Sequence, residues 1–197
     1  MAVVADESTL MPHIGPDVVL NDPTFIHDTA LIHGKVTLEK GSSVWPYVIM
    51  RSEMFEIRIG ENTNIQDFAM IHVGITTGTH IGKNCSITHR ATIHGCEIGD
   101  NCLIGIGATI MDGVKIGANS IVAGHSIVNE GKEFPENSII AGVPAKLIDT
   151  RDNAARNLMN AAFYCRNAMN YAEGRELMSP EDLAHLAGLQ AKHQAGG

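Results

Sequence analysis

The sequence predicts an all-β solenoid, a parallel β-helix built from hexapeptide repeats, followed by a C-terminal α-helical segment. Three observations lead to this prediction. An apolar residue recurs at every sixth position over much of the chain, and glycine often follows it. From about Arg151 this period gives way to a helical spacing of apolar residues. In such a solenoid each six-residue unit forms one short flat side, and three units complete one triangular coil.

The six-residue spacing of the apolar residues continues along the chain except at three places, where the step from one repeat position to the next has a different length. A nine-residue step follows Met50, a ten-residue step follows Ile71, and a five-residue step follows Ile93. All nineteen positions are apolar and thirteen are isoleucine, so we expect them to point toward the axis of the coil. We expect the two long steps to form loops that bulge around a site. The series is Ile26, Ile32, Leu38, Val44, Met50, Ile59, Ile65, Ile71, Ile81, Ile87, Ile93, Ile98, Ile104, Ile110, Ile116, Val122, Val128, Phe134 and Ile140.

The change of period divides the chain into two parts. We assign residues 1–148 to the β-helix domain, with hexapeptide repeats at about 26–145. Residues 149–197 form the helical segment, and its first helix is expected to end near Gly174, because glycine is favoured just past a helix C-terminus.

A second, shorter helix is predicted after the first one. Ser179 is a suitable N-cap, and Pro180 suits the first helical position. The final QAKHQAGG is expected to fray.

Charge and hydropathy restrict the partners of the protein. The formal net charge of −8 argues against nucleic acid or an anionic membrane surface as the main partner. The N-terminal sequence lacks the basic and apolar regions of a signal peptide, and no apolar run is long enough to cross a bilayer. These features predict a cytoplasmic protein that binds neither nucleic acid nor membrane.

Residues three units apart are expected to lie on the same side of the triangle in successive coils. Met50, Ile71 and Ile93 are related in this way, so the residues that follow them, Arg51, His72 and His94, form one column on a corner. By the same rule Asp67 and His89 form a second column, one side away around the triangle.

The two columns together predict a metal site between subunits. His72 and His94 can chelate one ion, because coil spacing is about 4.8 Å and Zn–N distances are about 2.1 Å. His89 can complete a three-histidine site only from another chain, which a trimer with parallel axes supplies. The same packing places Arg51 opposite Asp67 as an interface ion pair. Three neutral imidazoles with an open fourth position are typical of catalytic zinc, and iron or cobalt could use the same nitrogen set.

Several stretches of the repeat resemble the gamma-class carbonic anhydrase family. They are VWPYVIMRSE, IRIGENTNIQD, MIHVG, ITHRATIHGCEIGDNCLIGIGATIMDG and AGVPAKLI, within residues 44–148. The resemblance implies a left-handed coil, a homotrimer and reversible hydration of CO₂ to bicarbonate by a metal-bound hydroxide. It also implies metal ligands at His72, His89 and His94, which agrees with the column argument.

The resemblance extends to residues around the predicted metal. It implies that Gln66 orients water, that Arg51 and Asp67 pair across the interface, and that Tyr164 of NAAFY reaches the site from the C-terminal helix. RSE replaces the RGD of the family, so Glu53 takes the place of an aspartate that orders active-site water.

Two other functions remain open. The family's acidic loops, which carry a proton-shuttle glutamate in its most active type, are missing here. A non-catalytic trimeric scaffold or assembly protein could retain the metal site. Other hexapeptide proteins are acyl-CoA transferases or thioesterases, although these typically use a single catalytic histidine.

Overall fold

A computed structural model, which describes residues 12–195, confirms the parallel β-solenoid and has two α-helices at its C-terminal end. The repeat residues point to the axis as predicted and are buried, except Ile26 and Phe134, which are partly buried against the same core. The core is therefore a stack of aliphatic side chains, one layer per coil, and this stacking sets the register of every coil on the next.

The solenoid strands are short, and all but the last pair in parallel. In chain order they are β1 (Val19–Leu20), β2 (Phe25–Ile26), β3 (Leu31–Leu38), β4 (Ser43–Val44), β5 (Ile49–Ile59), β6 (Asn64–Ile65), β7 (Met70–His72), β8 (Thr79–Ile81), β9 (Ser86–Ile87), β10 (Thr92–His94), β11 (Glu97–Ile98), β12 (Leu103–Ile104), β13 (Thr109–Ile110), β14 (Lys115–Ile116), β15 (Ile121–Val122), β16 (Ile127–Val128), β17 (Glu133–Phe134), β18 (Ser138–Gly142) and β19 (Ala145–Thr150).

These strands form three faces around the axis. The first face contains β7, β10, β13 and β16 together with the first half of β5 and the first half of β3, whereas the second half of β3 pairs with the second half of β5. The second face contains β8, β11, β14 and β17 together with the second half of β5. The third face runs from β2 through β4, β6, β9, β12 and β15 to β18, and β19 closes it as an antiparallel strand.

The two long steps of the repeat take different forms. The nine-residue step does not form the expected loop, because β5 continues from Ile49 to Ile59 without a break. Its extra residues form a bulge, where the register with β3 shifts between Gly34 and Val36. A bulge preserves most of the strand pairing, which a free loop would lose. The ten-residue step does form a loop, between β7 and β8.

The third face is covered by helix α1 (Ala154–Ala172), which contacts β2, β4, β6 and β9. Aromatic packing holds the helix there: the ring of Trp45 lies edge-on to Tyr164 and Tyr171, with centroids 5.6 and 5.0 Å apart. Strand residues that face outward beneath the helix, such as Asn64 and Ser86, are consequently buried.

Helix α2 (Pro180–Ala195) begins at the predicted proline and includes residues 190–195 of the segment for which fraying was predicted; residues 196–197 lie outside the described residues. The side chain of Asp182 attaches it to α1. This carboxylate accepts hydrogen bonds from the backbone N–H of Ser179, at 2.8 Å, and from Asn170 Nδ2, at 2.9 Å, and it also pairs with Arg166. These bonds, that of the Ser179 N–H above all, hold the pKa of Asp182 well below its ordinary value. Within the described residues, no helix has the length and apolar character that crossing a bilayer requires.

A column of small hydroxyl and thiol side chains runs along one corner. Thr63 Oγ1 donates to the carbonyl of Gly82 at 2.7 Å, and Cys102 Sγ donates to the carbonyl of Gly117 at 3.3 Å. The N–H of Cys102 in turn donates to Cys85 Sγ at 3.4 Å. Each buried corner carbonyl thus receives a side-chain donor from the neighbouring coil.

The hydrogen bond of Cys102 in this column predicts different effects of Cys102→Ser and Cys102→Ala on the free energy of unfolding. Cys102→Ser is expected to leave the free energy of unfolding within about 0.5 kcal/mol of wild type, because a hydroxyl can donate to the same carbonyl. Cys102→Ala should cost about 1 kcal/mol, because the carbonyl of Gly117 loses this donor. Urea unfolding of the three proteins measures both values. Equal stability of the alanine variant and wild type would contradict this role of the thiol.

Candidate metal centre

The first predicted column is present at the end of the first face. Arg51 of β5 pairs in register with His72 of β7, and His72 pairs in register with His94 of β10. The two imidazoles converge, with His72 Nδ1 lying 3.0 Å from His94 Nε2. The six-residue period therefore predicted correctly that these side chains lie together.

Glu53 joins this column from the bulge in β5. One carboxylate oxygen lies 3.0 Å from His72 Nε2, and the other pairs with the guanidinium of Arg51. Within one chain Arg51 thus pairs with Glu53, and its predicted pairing with Asp67 concerns a second chain. The bulge thus places Glu53 beside His72, one of the predicted metal ligands.

Asp112 is a member of the cluster that the sequence analysis missed. Both of its carboxylate oxygens lie 3.0 Å from His94 Nδ1. Ile110 pairs in register with Ile93, so Asp112 belongs to the coil after that of His94. A carboxylate two residues after a core position, one coil from a candidate histidine, is the signal that could have identified it.

The second column lies at the corner where the third face meets the first. Asp67 Oδ2 is 3.0 Å from His89 Nδ1, as the six-residue period predicted for stacked neighbours. The hydroxyl of Tyr164, on α1, lies 3.4 Å from His89 Nε2. Helix α1 therefore brings Tyr164 to His89, the predicted ligand that was expected to complete the metal site of a neighbouring chain.

Gln66 lies one residue before Asp67 and is buried. Its amide Nε2 donates to Asn64 Oδ1 at 2.9 Å, and the Asn64 amide donates to Ser86 Oγ at 3.0 Å. This chain of hydrogen bonds fixes the orientation of Gln66 on the third face. Gln66 thus belongs to the His89 side of the molecule, whereas Glu53 belongs to the His72 side.

The surroundings of His72 favour its neutral form. Burial lowers the pKa of His72, and the nearby charges of Arg51 and His94 lower it further. A neutral imidazole is the form that binds a metal ion. Burial, with a contribution from Asp67, raises the pKa of Tyr164, so its hydroxyl remains a hydrogen-bond donor at neutral pH.

The first column offers two nitrogen ligands with a suitable separation. Two nitrogens that bind one tetrahedral ion at about 2.1 Å lie roughly 3.4 Å apart, close to the separation of His72 Nδ1 and His94 Nε2. Among the described residues of a single chain, no group of three histidine, cysteine, aspartate or glutamate side chains is arranged to hold a metal ion. One chain therefore presents a two-histidine half of the predicted site and, on another corner, the His89 half.

Comparison with known proteins gives matches to both carbonic anhydrases and transferases. Residues 95–130 match the family described as bacterial transferase hexapeptide (six repeats). Gamma carbonic anhydrase 2 of Arabidopsis thaliana, named as mitochondrial, is 37% identical over 112 residues, which are 54% of this chain and 40% of that protein. Protein YrdA of Escherichia coli K12 is 32% identical over 110 residues, which are 52% of this chain and 56% of that protein.

A solved structure matches the fold over a larger share of the chain. The hexapeptide transferase family protein from Anaplasma phagocytophilum superimposes with a TM-score of 0.70 at 29% identity, covering 80% of this chain and 92% of that one. The chain spans about half the length of the curated relatives described above. The solenoid and these matches show that the chain has the hexapeptide-repeat fold and that about half of it is similar to proteins named gamma carbonic anhydrase.

Proposed function

We propose that this chain assembles into a homotrimer that hydrates CO₂ to bicarbonate at metal sites shared between neighbouring subunits. One observation carries the proposal. The two histidine columns flank the first face, with Asp67 and His89 at the corner before its strands and His72 and His94 at the strand ends. Within residues 12–195 no helix covers this face, and its central outward column has no charged residue.

The outward side chains of the first face support its burial by a second copy. Beside the column of Arg51, His72 and His94 at the strand ends, they form a second column without a charged residue: Leu31, Ile49, Met70, Thr92, Thr109 and Ile127. Leu31, Ile49 and Ile127 are between 37% and 40% exposed in the single chain, so an uncharged strip of apolar and threonine side chains faces outward.

The other two faces do not offer such a surface. The corresponding outward column of the second face is Arg58, His80, Glu97, Lys115 and Glu133, which suits contact with water. The third face is covered by α1. Three first faces packed around a threefold axis would bring the His72 edge of each chain to the His89 edge of the next.

His72 and His94 of one chain and His89 of its neighbour would hold the metal. Zinc is the ion we propose, and iron or cobalt suits the same nitrogen donors. Zinc, when bound, lowers the pKa of a coordinated water to about 7 and so makes hydration chemistry accessible at neutral pH. The ion pair of Arg51 with Asp67 would form across the same interface and fix the alignment of the two chains.

Residues of both halves would surround the substrate. Glu53 is about half exposed and contacts His72, so its carboxylate is placed to accept a hydrogen bond from the reacting water. Gln66 and Tyr164 approach from the His89 side, where the amide can orient an oxygen atom of CO₂ and the phenol closes the pocket. In the net reaction one carbon–oxygen bond forms, and one proton leaves to solvent.

The test is stopped-flow CO₂ hydration by trimer purified without oxygen and loaded with zinc or with iron. We expect rate acceleration by the wild type and a loss of more than about 100-fold in His89→Ala, since even outer-shell changes cost 10- to 100-fold. His185→Ala is the matched control, because His185 lies on exposed α2 outside both columns.

Three outcomes separate the candidate functions. Activity that His89→Ala abolishes and His185→Ala retains supports the shared site. No acceleration despite one metal per subunit contradicts hydration and favours the scaffold. Acyl transfer from a short acyl-CoA, without CO₂ hydration, would favour the transferase class that the family match and the Anaplasma structure represent.

A further inference from the structure

The ring of His94 is held at both nitrogens. Nδ1 lies 3.0 Å from each carboxylate oxygen of Asp112, and Nε2 lies 3.0 Å from His72 Nδ1. An ionised carboxylate has no proton to donate and can only accept hydrogen bonds. The proton of a neutral His94 is therefore favoured at Nδ1, which faces Asp112. Nε2 then carries the lone pair, on the side that faces His72.

The carboxylate of Asp112 occupies a space that two glycines leave open. A Cβ atom at Gly74 would lie 2.0 Å from Asp112 Oδ1, and one at Gly95 would lie 2.3 Å from it. Gly95 also has a φ of +55°, which disfavours most side chains. The position of the carboxylate is thus built into the turn that follows His94.

The loop between β7 and β8 lies against the same carboxylate. The N–H of Gly74 donates to the carbonyl of Thr77 at 2.8 Å, and Thr77 Oγ1 donates to the carbonyl of Gly95 at 2.8 Å. The ten-residue step of the repeat therefore packs beside Asp112. The side chain of Asp112 is 33% exposed, and the two glycines fit closely around one of its carboxylate oxygens.

His89 shows the same arrangement independently, with its Nδ1 lying 3.0 Å from Asp67. His72 differs, because Glu53 contacts its Nε2. Metal-binding histidines usually donate their second ring N–H to a carboxylate or carbonyl, which fixes the tautomer and raises the basicity of the ligand nitrogen. The Asp112–His94 contact has this form.

We propose that Asp112 is a positioning residue of the metal centre, which holds His94 in the tautomer whose Nε2 binds the ion. The inference rests on the proposed function for the identity of His94 as a ligand. It assigns to Asp112 no contact with substrate or metal. Its effect on the centre is exerted through the orientation and the tautomer of one imidazole.

Three variants of the full-length protein test this role. Asp112→Ala removes the acceptor, and Asp112→Asn retains an uncharged acceptor of nearly the same shape. Asp100→Ala is the matched control, because Asp100 Oδ1 accepts from the backbone N–H of Lys83 at 3.0 Å on another corner and contacts no histidine. The readouts are zinc affinity by chelator competition and the His94 tautomer by ¹⁵N NMR of the metal-free protein.

We expect Asp112→Ala to weaken zinc binding about 10- to 100-fold and to lose the single Nδ1–H tautomer of His94. Asp112→Asn should lie between alanine and wild type, and Asp100→Ala should bind zinc like wild type. If Asp112→Ala folds poorly, the asparagine variant alone decides: wild-type affinity with a wild-type tautomer population would overturn the proposal.

The inference and the proposed activity can fail separately. Asp112-dependent zinc affinity in a protein that does not hydrate CO₂ would leave the positioning role intact and remove the activity. CO₂ hydration by a protein whose zinc affinity and His94 tautomer do not depend on Asp112 would support the activity and contradict the positioning role.

Discussion

Mixing two inactive variants, His89→Ala and His94→Ala, is expected to restore zinc binding and CO₂ hydration to about one quarter of the wild-type level. Each variant alone lacks one half of every shared site. In a trimer that contains both variants, one of the three interfaces joins an intact His94 to an intact His89. Random 1:1 mixing puts about three quarters of the trimers in this mixed class, so about one site in four is complete.

The measurement is zinc content and stopped-flow hydration after the two variants are unfolded together and refolded. Separately refolded variants mixed without exchange are the control and should remain inactive. The His72 and His94 edge and the His89 edge lie on different columns of one chain, so a subunit cannot complete the site alone. Failure of mixed trimers of confirmed composition to bind zinc would contradict a site shared between chains.

Ile127→Glu is expected to dissociate the proposed trimer into monomers. Ile127 is 37% exposed on the first face of the single chain and would lie against another copy in the proposed assembly. Burying an unpaired carboxylate there costs several kcal/mol. Sedimentation at low micromolar concentration should show about 63 kDa, three times 21.1 kDa, for wild type and 21.1 kDa for the variant.

The matched control is Thr37→Glu. Thr37 pairs in register with Arg58 on the second face, where a carboxylate remains in water and near a positive charge. This variant should sediment like wild type. Zinc affinity should fall in the Ile127 variant as well, although Ile127 lies two coils beyond His94. A trimer that tolerates the glutamate would show that the first face is not the interface.

The sequence alone determined the fold and the two columns of the candidate site. A hexapeptide period has only one way to place residues three units apart, because each coil pairs in register with the next. Arg51, His72 and His94 therefore stack, as do Asp67 and His89, and the structure confirms both columns. The physical reason is that the axial aliphatic residues permit a single register, which the sequence displays directly.

Only the tertiary structure decided which side chains complete each column. The extra residues after Met50 could have formed a loop, but they form a bulge in β5 that brings Glu53 to Arg51 and His72. Asp112 reaches His94 because two glycines and the β7–β8 loop leave it that space. Such contacts depend on rotamers and turn geometry, which do not follow the period.

The position of α1 on the solenoid could not be predicted from the hexapeptide repeat. Its helical spacing predicted α1, but the sequence did not show that α1 would cover the third face and place Tyr164 beside His89. That docking follows from aromatic contacts between residues more than 100 positions apart, as between Trp45 and Tyr164. By covering the third face, α1 also leaves the first face available to a second subunit. Local periodicity could not predict this docking, because it cannot specify contacts over such separations.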